Sequence, residues 1–274
     1  MVREREQKVA AVERSGMLHP SNVERFSAQW ITPGADVREV VDTYWSVAWR
    51  LAEGEAIDQR IIDHPSVTLT IERGQVLAPF VVSSVRAKAW RRTIIGTGDV
   101  FAIRLRPAGI AVLTDLDPTA LRGERALSAD DHRARRLLEA IAEAPDAGAR
   151  ARRADALVRE RLLERPLTAQ QRLANAAIDL LTAQPRVRPL SEAAALLQTS
   201  PRALHRALSS TVGRGPVEIA RRIRLQEVVR RLSSENASIT DVAAELGYTD
   251  QSHLTNEFRT VTGTTPGAYL RGTP

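Results

Sequence analysis

The sequence contains no cysteine. That excludes a disulfide framework, thiolate metal sites and a cysteine nucleophile, each of which needs sulfur as ligand or attacking atom. Lysine is nearly absent as well: only Lys8 and Lys88 occur, so almost all of the 39 basic residues are arginines. No apolar run approaches the roughly 18 residues that cross a bilayer. The opening MVREREQKVAAVER alternates charges where a secretory signal would carry an apolar core, so a cytoplasmic protein with no membrane partner is expected. His19, His64 and His132 lack metal-ligand spacing, HExxH does not occur, and no glycine-rich phosphate loop follows a strand. Asp63-His64 beside Ser66 resembles a nucleophilic set, but neighbours on a strand point to opposite faces. No catalytic residue, metal site or cofactor is therefore expected, and the chain reads as a non-enzyme.

What is present is enough for two packed domains: 274 residues, 43% of them apolar. Residues 1–16 form a charged leader. From Phe26 to about Leu113 the pattern is strand-rich, with Ser66 to Glu72, Pro79 to Val85 and Val100 to Leu105 short, β-branched and bounded by Gly or Pro. All four tryptophans, Trp30, Trp45, Trp49 and Trp90, fall here. Helical spacing follows over roughly Ser128 to Ala144 and Ala147 to Glu164, until Arg165-Pro166 breaks it. The expected fold class is α+β. Residues 17–165 form a small β-barrel or sandwich-like sensor or dimerisation domain with following helices, and residues 166–274 an all-α domain of about seven helices.

Punctuation in the second half is regular. Thr168 is placed to cap a helix running to about Thr182. Ser191 caps EAAALL, and Ser200 caps a helix with Pro201 at its first position, where the missing N–H costs nothing. Pro216 opens a long helix to about Ser233, Thr240 caps DVAAEL, and Asp250 caps QSHLTNEFRTVT, which Gly263 closes. Charge is focused in the same stretch: Ser200 to Arg231 holds eight arginines and two acids, a field that attracts polyanions.

The stretch repeats itself. A shift of 50 superimposes Leu204 on Leu254, Leu208 on Phe258, Gly213 on Gly263, Pro216 on Pro266 and Ile219 on Tyr269. Upstream, a shift of 49 aligns Leu190 with Ile239, Ala194 with Ala243 and Leu197 with Leu246. Each copy is a short helix with alanine at a crowded crossing, a tight turn, a second capped helix and a Gly-x-x-Pro exit, which describes a helix-turn-helix. The first motif covers about 191–211 and the second about 240–262, joined by a connector helix over about 216–233. With Leu204, Leu208, Leu254 and Phe258 turned inward, Arg202, His205, Arg206, Gln251, Ser252, Thr255 and Asn256 remain outward. These are residue types that read base edges. Ser200, Ser209, Arg224, Thr249 and Arg259 are phosphate candidates. Arginines of the connector divide between phosphates and the acids Glu218 and Glu227, in a way that periodicity leaves open.

SPRALHRAL, GRGPVEIARRIRLQEVVRRL and ITDVAAELGYTDQSHLTNEFRTVTGTTPGAYLR together resemble the DNA-binding domain of the AraC/XylS family of bacterial transcription regulators, over about 170–272. Ala243, Gly247, Tyr248, Phe258, Gly263, Pro266 and Tyr269 stand where that pattern has such residues. The sequence departs from it at Asn256, usually arginine, at His253, usually aromatic, at Gln198, often a turn glycine, and at Ile219, often aromatic. Residues Glu72 to Leu113 resemble an N-terminal domain of uncharacterised members. The resemblance implies double-stranded DNA as partner, with RNA polymerase, a homodimer mate and a small-molecule effector as further candidates. Trp45, Trp49 and Trp90 are candidate linings of an effector cavity, although tryptophan in a mixed domain is more often core. The rival reading is a non-catalytic adaptor whose helical half binds protein.

Overall fold

The structure is a computed structural model that describes residues 16–234 and 237–272; all of the expected leader except Gly16 lies outside them. The first half carries eight strands: β1 (Ser27–Ile31), β2 (Val41–Arg50), β3 (Ala56–Ile61), β4 (Thr68–Gly74), β5 (Phe80–Ser83), β6 (Trp90–Ile95), β7 (Thr97–Leu105) and β8 (Glu124–Ala126). Six form an antiparallel sheet in the order β1-β2-β7-β4-β5-β8, and β3 pairs with β6 in a separate two-stranded ribbon. β4, β5 and β7 occupy the stretches read as strands from sequence. β1, β2, β3, β6 and β8 were not individually legible.

Strand alternation assigns the two faces of the sheet. Phe101, Ile103 and Leu105 of β7 join Tyr44, Leu69 and Ile71 in a core shared with α1 (Gly109–Leu113), α2 (His132–Ala142) and α3 (Ala147–Glu164). Tyr44 anchors that layer, its buried hydroxyl donating to Asp155 of α3 at 2.8 Å. Val100 and Ala102 point the other way and pack with Trp45, Trp49 and, from the ribbon, Ile94. The ribbon therefore lies across the face that the helices leave open.

Seven helices follow in the described residues: α4 (Ala169–Ala183), α5 (Leu190–Leu196), α6 (Pro201–Val212), α7 (Pro216–Leu232), α8 (Ile239–Glu245), α9 (Gln251–Thr262) and α10 (Pro266–Leu270). They build two cores around one rod. Ile219 and Ile223 of α7 close a core with α4, α5 and α6. Leu225, Val228, Val229 and Leu232 of the same helix close a second with α8 and α9. Two caps differ from expectation. Pro189, not Ser191, precedes α5, and Ser238, not Thr240, caps α8 by accepting from the Asp241 N–H at 3.3 Å. No helix among the described residues is long and apolar enough to cross a membrane.

Candidate nucleic-acid interface

The two copies fold alike in detail. Ala194 and Ala243, 1% exposed each, sit where the short helix crosses the longer one, and a larger side chain would force the pair apart. The turn after each short helix makes the same bonds: the Thr199 N–H donates to the Ala194 carbonyl at 2.9 Å, and the Tyr248 N–H to the Ala243 carbonyl at 2.9 Å. Ser200 caps α6 by accepting from the Ala203 N–H at 3.1 Å, and Asp250 caps α9 by accepting from the His253 N–H at 2.8 Å. Leu204 and Leu208, or Leu254 and Phe258, are buried beneath. Gly213 and Gly263 end α6 and α9 with φ of 75° and 78°, a conformation that costs glycine least.

The faces left outward carry the residues expected there. On α6, Arg202, His205 and Arg206 are exposed and Ser209 is half-exposed, its hydroxyl 3.4 Å from Nδ1 of His205. On α9, Gln251, Ser252, Asn256 and Arg259 are exposed and Thr255 is half-exposed; Ser200 and Thr249 lie exposed beside the helix starts. Among the described residues, neither Arg202 nor Arg206 enters an ion pair. At 1.5 Å per residue the 17 residues of α7 span about 25 Å between the two motifs. A second tie links them, from the Val187 N–H to the Leu246 carbonyl at 3.0 Å.

Arg224 is a correction. It is 9% exposed and donates to both oxygens of Glu257 at 3.1 and 3.3 Å, its guanidinium 5.0 Å from the centre of the Tyr248 ring. The Tyr248 hydroxyl donates to the same carboxylate at 2.9 Å, and burial pushes that phenol up. Arg224 thus ties α7 to α9 and does not face solvent. The other connector arginines are committed too. Arg221 reaches Glu257, Arg230 and Arg231 pair with Glu227, and Arg231 also meets Glu245. Arg222 turns toward the first half of the chain, donating to the carbonyls of Asp63 at 2.9 Å, Arg86 at 2.6 Å and Lys88 at 3.3 Å and pairing with the Asp63 carboxylate. Asp63 is thereby occupied, and residues 62–67 form a loop where a strand argument had been applied to Asp63, His64 and Ser66. His64 has its own surroundings. Burial, with Arg104 second, depresses the imidazole to about 4, against an opposing pull from Asp42.

The tryptophan candidates divide between two environments. Trp49 is buried, donates from its ring nitrogen to the Ile95 carbonyl at 3.0 Å and shares an apolar cluster with Trp45. Trp90 belongs to a charged cluster that the sequence did not announce. Its ring nitrogen donates to Glu124 at 3.2 Å, Arg92 bridges Glu72 at 2.9 Å and Glu124 at 2.7 Å, and Thr70 donates to Glu72 at 2.8 Å. Glu72 ends the β-branched run Ser66 to Glu72, where pairing with β7 and cover from the ribbon bury it to 3% exposure.

Comparison with known proteins places both halves. Residues 193–272 match a helix-turn-helix domain family, and residues 29–126 match a domain of unknown function. The chain is 37% identical over 62 residues to an AraC-like transcription regulator of Streptomyces lividans, covering 23% of this chain and 20% of that one. It is 40% identical over 58 residues to the HTH-type transcriptional activator RhaS of Pectobacterium atrosepticum, covering 21% of each. The helical half is similar to AraC-like transcription regulators and carries a helix-turn-helix domain. The match spans about a fifth of the length of those curated relatives. Among solved structures, the C-terminal domain of AraT, a response regulator from Geobacillus stearothermophilus, aligns at 22% identity and a TM-score of 0.35, over 38% of this chain and 88% of that one. ToxT from Vibrio cholerae aligns at 10% identity and a TM-score of 0.45, over 84% of this chain and 98% of that one.

Proposed function

We propose that this chain is a sequence-specific, double-stranded-DNA-binding transcription regulator that works in the cytoplasm and carries no catalytic role. The observation that carries the reading is the duplicated helix-turn-helix. Two capped helices with matched turns hold polar faces in solvent, on cores that share one rod. In this reading Arg202, His205 and Arg206 on α6 and Gln251, Ser252, Thr255 and Asn256 on α9 contact base edges. Ser200, Ser209, Thr249 and Arg259, with the N–H groups at the helix starts, contact phosphates. Arg224 leaves that set. The first half takes the regulatory role, with a small molecule as effector and the Trp90, Arg92, Glu72 and Glu124 cluster or the Trp45 and Trp49 face as its contact. RNA polymerase and a second copy of the chain are the further partners of such a regulator.

Duplex binding measured across a salt series tests the reading. Affinity is expected to fall with a log–log slope of about −0.9 per phosphate neutralised, because each contact releases condensed counterions. The connector arginines are already paired, so the slope should stay modest for so basic a segment. Arg206→Ala is expected to lose about 1–3 kcal/mol at a specific site and little elsewhere. Absence of duplex affinity at low salt rejects the reading.

A further inference from the structure

We infer that the linker between β5 and β6, residues 84–89, is a splint that fixes the tilt of one helix-turn-helix motif against the other, and so selects the spacing of the two duplex segments that the chain contacts. The inference rests on the DNA-binding role proposed above and specifies which duplexes satisfy it.

Each motif has its own core, and α7 enters the two at different ends, with Ile219 and Ile223 in one and Leu225, Val228, Val229 and Leu232 in the other. A shared helix fixes the distance between two bodies along its axis; their tilt about it is set by contacts to the side, since packed elements shear past one another by small steps. The bond from the Val187 N–H to the Leu246 carbonyl at 3.0 Å is one such contact, close to the turn that precedes α9. At the opposite ends of α6 and α9 the bridge is made by the linker.

In chain order the linker touches the first motif, the rod and the second motif within five residues. Val85 is fully buried in the core of the first motif, and its carbonyl accepts from Nη2 of Arg214, just past the end of α6, at 3.0 Å. The carbonyls of Arg86 and Lys88 accept from Arg222 of α7 at 2.6 and 3.3 Å. The Ala89 N–H donates to the carbonyl of Val261, in the last turn of α9, at 2.8 Å, and Ala89 packs on the core of the second motif. From Val85 to Ala89 the backbone can span at most about 14 Å. The exit of α6 and the end of α9 are therefore strapped together at a bounded distance.

The strap is also anchored, so it cannot drift with the motifs. The Ser84 N–H donates to the Gly123 carbonyl at 2.8 Å, Arg86 faces Glu124 at 3.7 Å, and Trp90, the first residue of β6, donates to the same carboxylate at 3.2 Å. The linker bonds to the helical half through main-chain atoms, which is why no side-chain motif in the sequence announces it.

One base pair added between two groove segments carries the second about 3.4 Å along the duplex and turns it by roughly 35°. A splinted pair of motifs fits one spacing and loses contacts at the next, whereas a pair free to tilt follows both. The splinted pair also arrives already oriented, which strengthens binding at the matching site.

Selection from a randomised duplex pool with the full-length protein supplies that site, and a footprint marks its two protected segments. One base pair is then inserted or removed between them. Wild type is expected to lose at least about tenfold in affinity either way, the worth of a single bidentate base contact. Insertion of Gly-Ser between Ala87 and Lys88 lengthens the strap and keeps every bonding group; it should weaken binding at the matching site and reduce the spacing penalty by at least about threefold. Arg214→Met releases the Val85 carbonyl without lengthening anything and should move the penalty in the same direction. Amide exchange in the wild type needs no variant: the Ala89 N–H should exchange as slowly as the buried turns of α9. Equal affinity of the wild type for all three spacings overturns the inference. So do folded variants that keep the full penalty, or an Ala89 amide that exchanges like an open loop. If the wild type selects no site from the pool, the DNA-binding reading falls together with the inference; loss of the inference alone leaves that reading standing.

Discussion

Gln198 holds the backbone conformation that the second copy assigns to glycine. Its φ is 50°, against 76° at the equivalent Gly247, and it is the non-glycine residue with positive φ among those described. Side chains with a Cβ pay roughly 1–2 kcal/mol for the left-handed region, and nothing obliges Gln198 to stay: its side chain is exposed and has no hydrogen-bond partner among the described residues. Gln198→Gly should therefore stabilise the protein by about 1 kcal/mol, seen as a later urea midpoint with an unchanged slope. A midpoint that does not move would mean that glycine's extra freedom in the unfolded chain cancels the relief of strain. The arginines set a different problem at the same scale. Arg221, Arg222 and Arg224 lie within four positions, and the sequence distinguishes them poorly. One grips the first half of the chain, and the other two share Glu257. Which arginine meets which partner depends on segments more than thirty residues away, so periodicity along α7 had no access to it.

Elements whose signals are local were legible. α3 spans the expected residues, and α6, α7 and α9 begin and end at the Ser200, Pro201, Gly213, Pro216, Asp250 and Gly263 markers, because caps and exits are decided within one turn. β2, β3 and β6 were not legible, because their pairing is between distant segments. β2 reads VDTYWSVAWR and buries Tyr44 on one face and Trp49 on the other, so no clean polar and apolar alternation marks it. The repeat also supplies an internal control for an element end. Gly213 and Gly263 share a positive φ, but a Cβ at Gly213 would run into the Pro118 carbonyl, whereas around Gly263 there is open space. Gly263→Ala should cost only the backbone term, about 1 kcal/mol. Gly213→Ala should cost clearly more, because the 117–119 turn must also move. Thermal or urea unfolding of the two variants side by side measures the difference, and equal losses would show that Pro118 yields freely.

Taken whole, the molecule holds its helix-turn-helix motifs between two supports: α7 from within and the β-domain from outside. The first motif meets the β-domain through Arg214, which donates to the Val85 carbonyl at 3.0 Å, and through Val85 itself, buried in that motif's core. The second meets it through the Ala89 N–H, which donates to the Val261 carbonyl at 2.8 Å, and through Leu18 and Ile62 in its core. Between them stands Arg222. Its side chain is 4% exposed, burial pushes the guanidinium down to about 10, and its polar partners among the described residues all belong to the first half. The loop it grips runs on into the charged cluster, where Arg86 faces Glu124 at 3.7 Å, so the seat of α7 and the interior of the β-domain share one segment. This arrangement makes the role of Arg222 separable from general stability. In the full chain Arg222→Met strands the carbonyls of Asp63, Arg86 and Lys88 and should cost about 3 kcal/mol, the usual loss when a buried ion pair is broken from one side. In a separate fragment of residues 167–274 those partners are gone and residue 222 meets water, so the same substitution should be neutral within about 0.5 kcal/mol. The fragment itself should fold, since among the described residues both helical cores draw only Leu18, Ile62, Val85 and Ala89 from the first half. It should melt earlier than the intact protein, with its exposed α7 face as the cause. Urea unfolding followed by far-ultraviolet circular dichroism on the four proteins measures the coupling between Arg222 and the β-domain. Equal losses in chain and fragment would make Arg222 a residue of the helical core alone, and an unstructured fragment would mean that the β-domain is required for the helix-turn-helix motifs to fold.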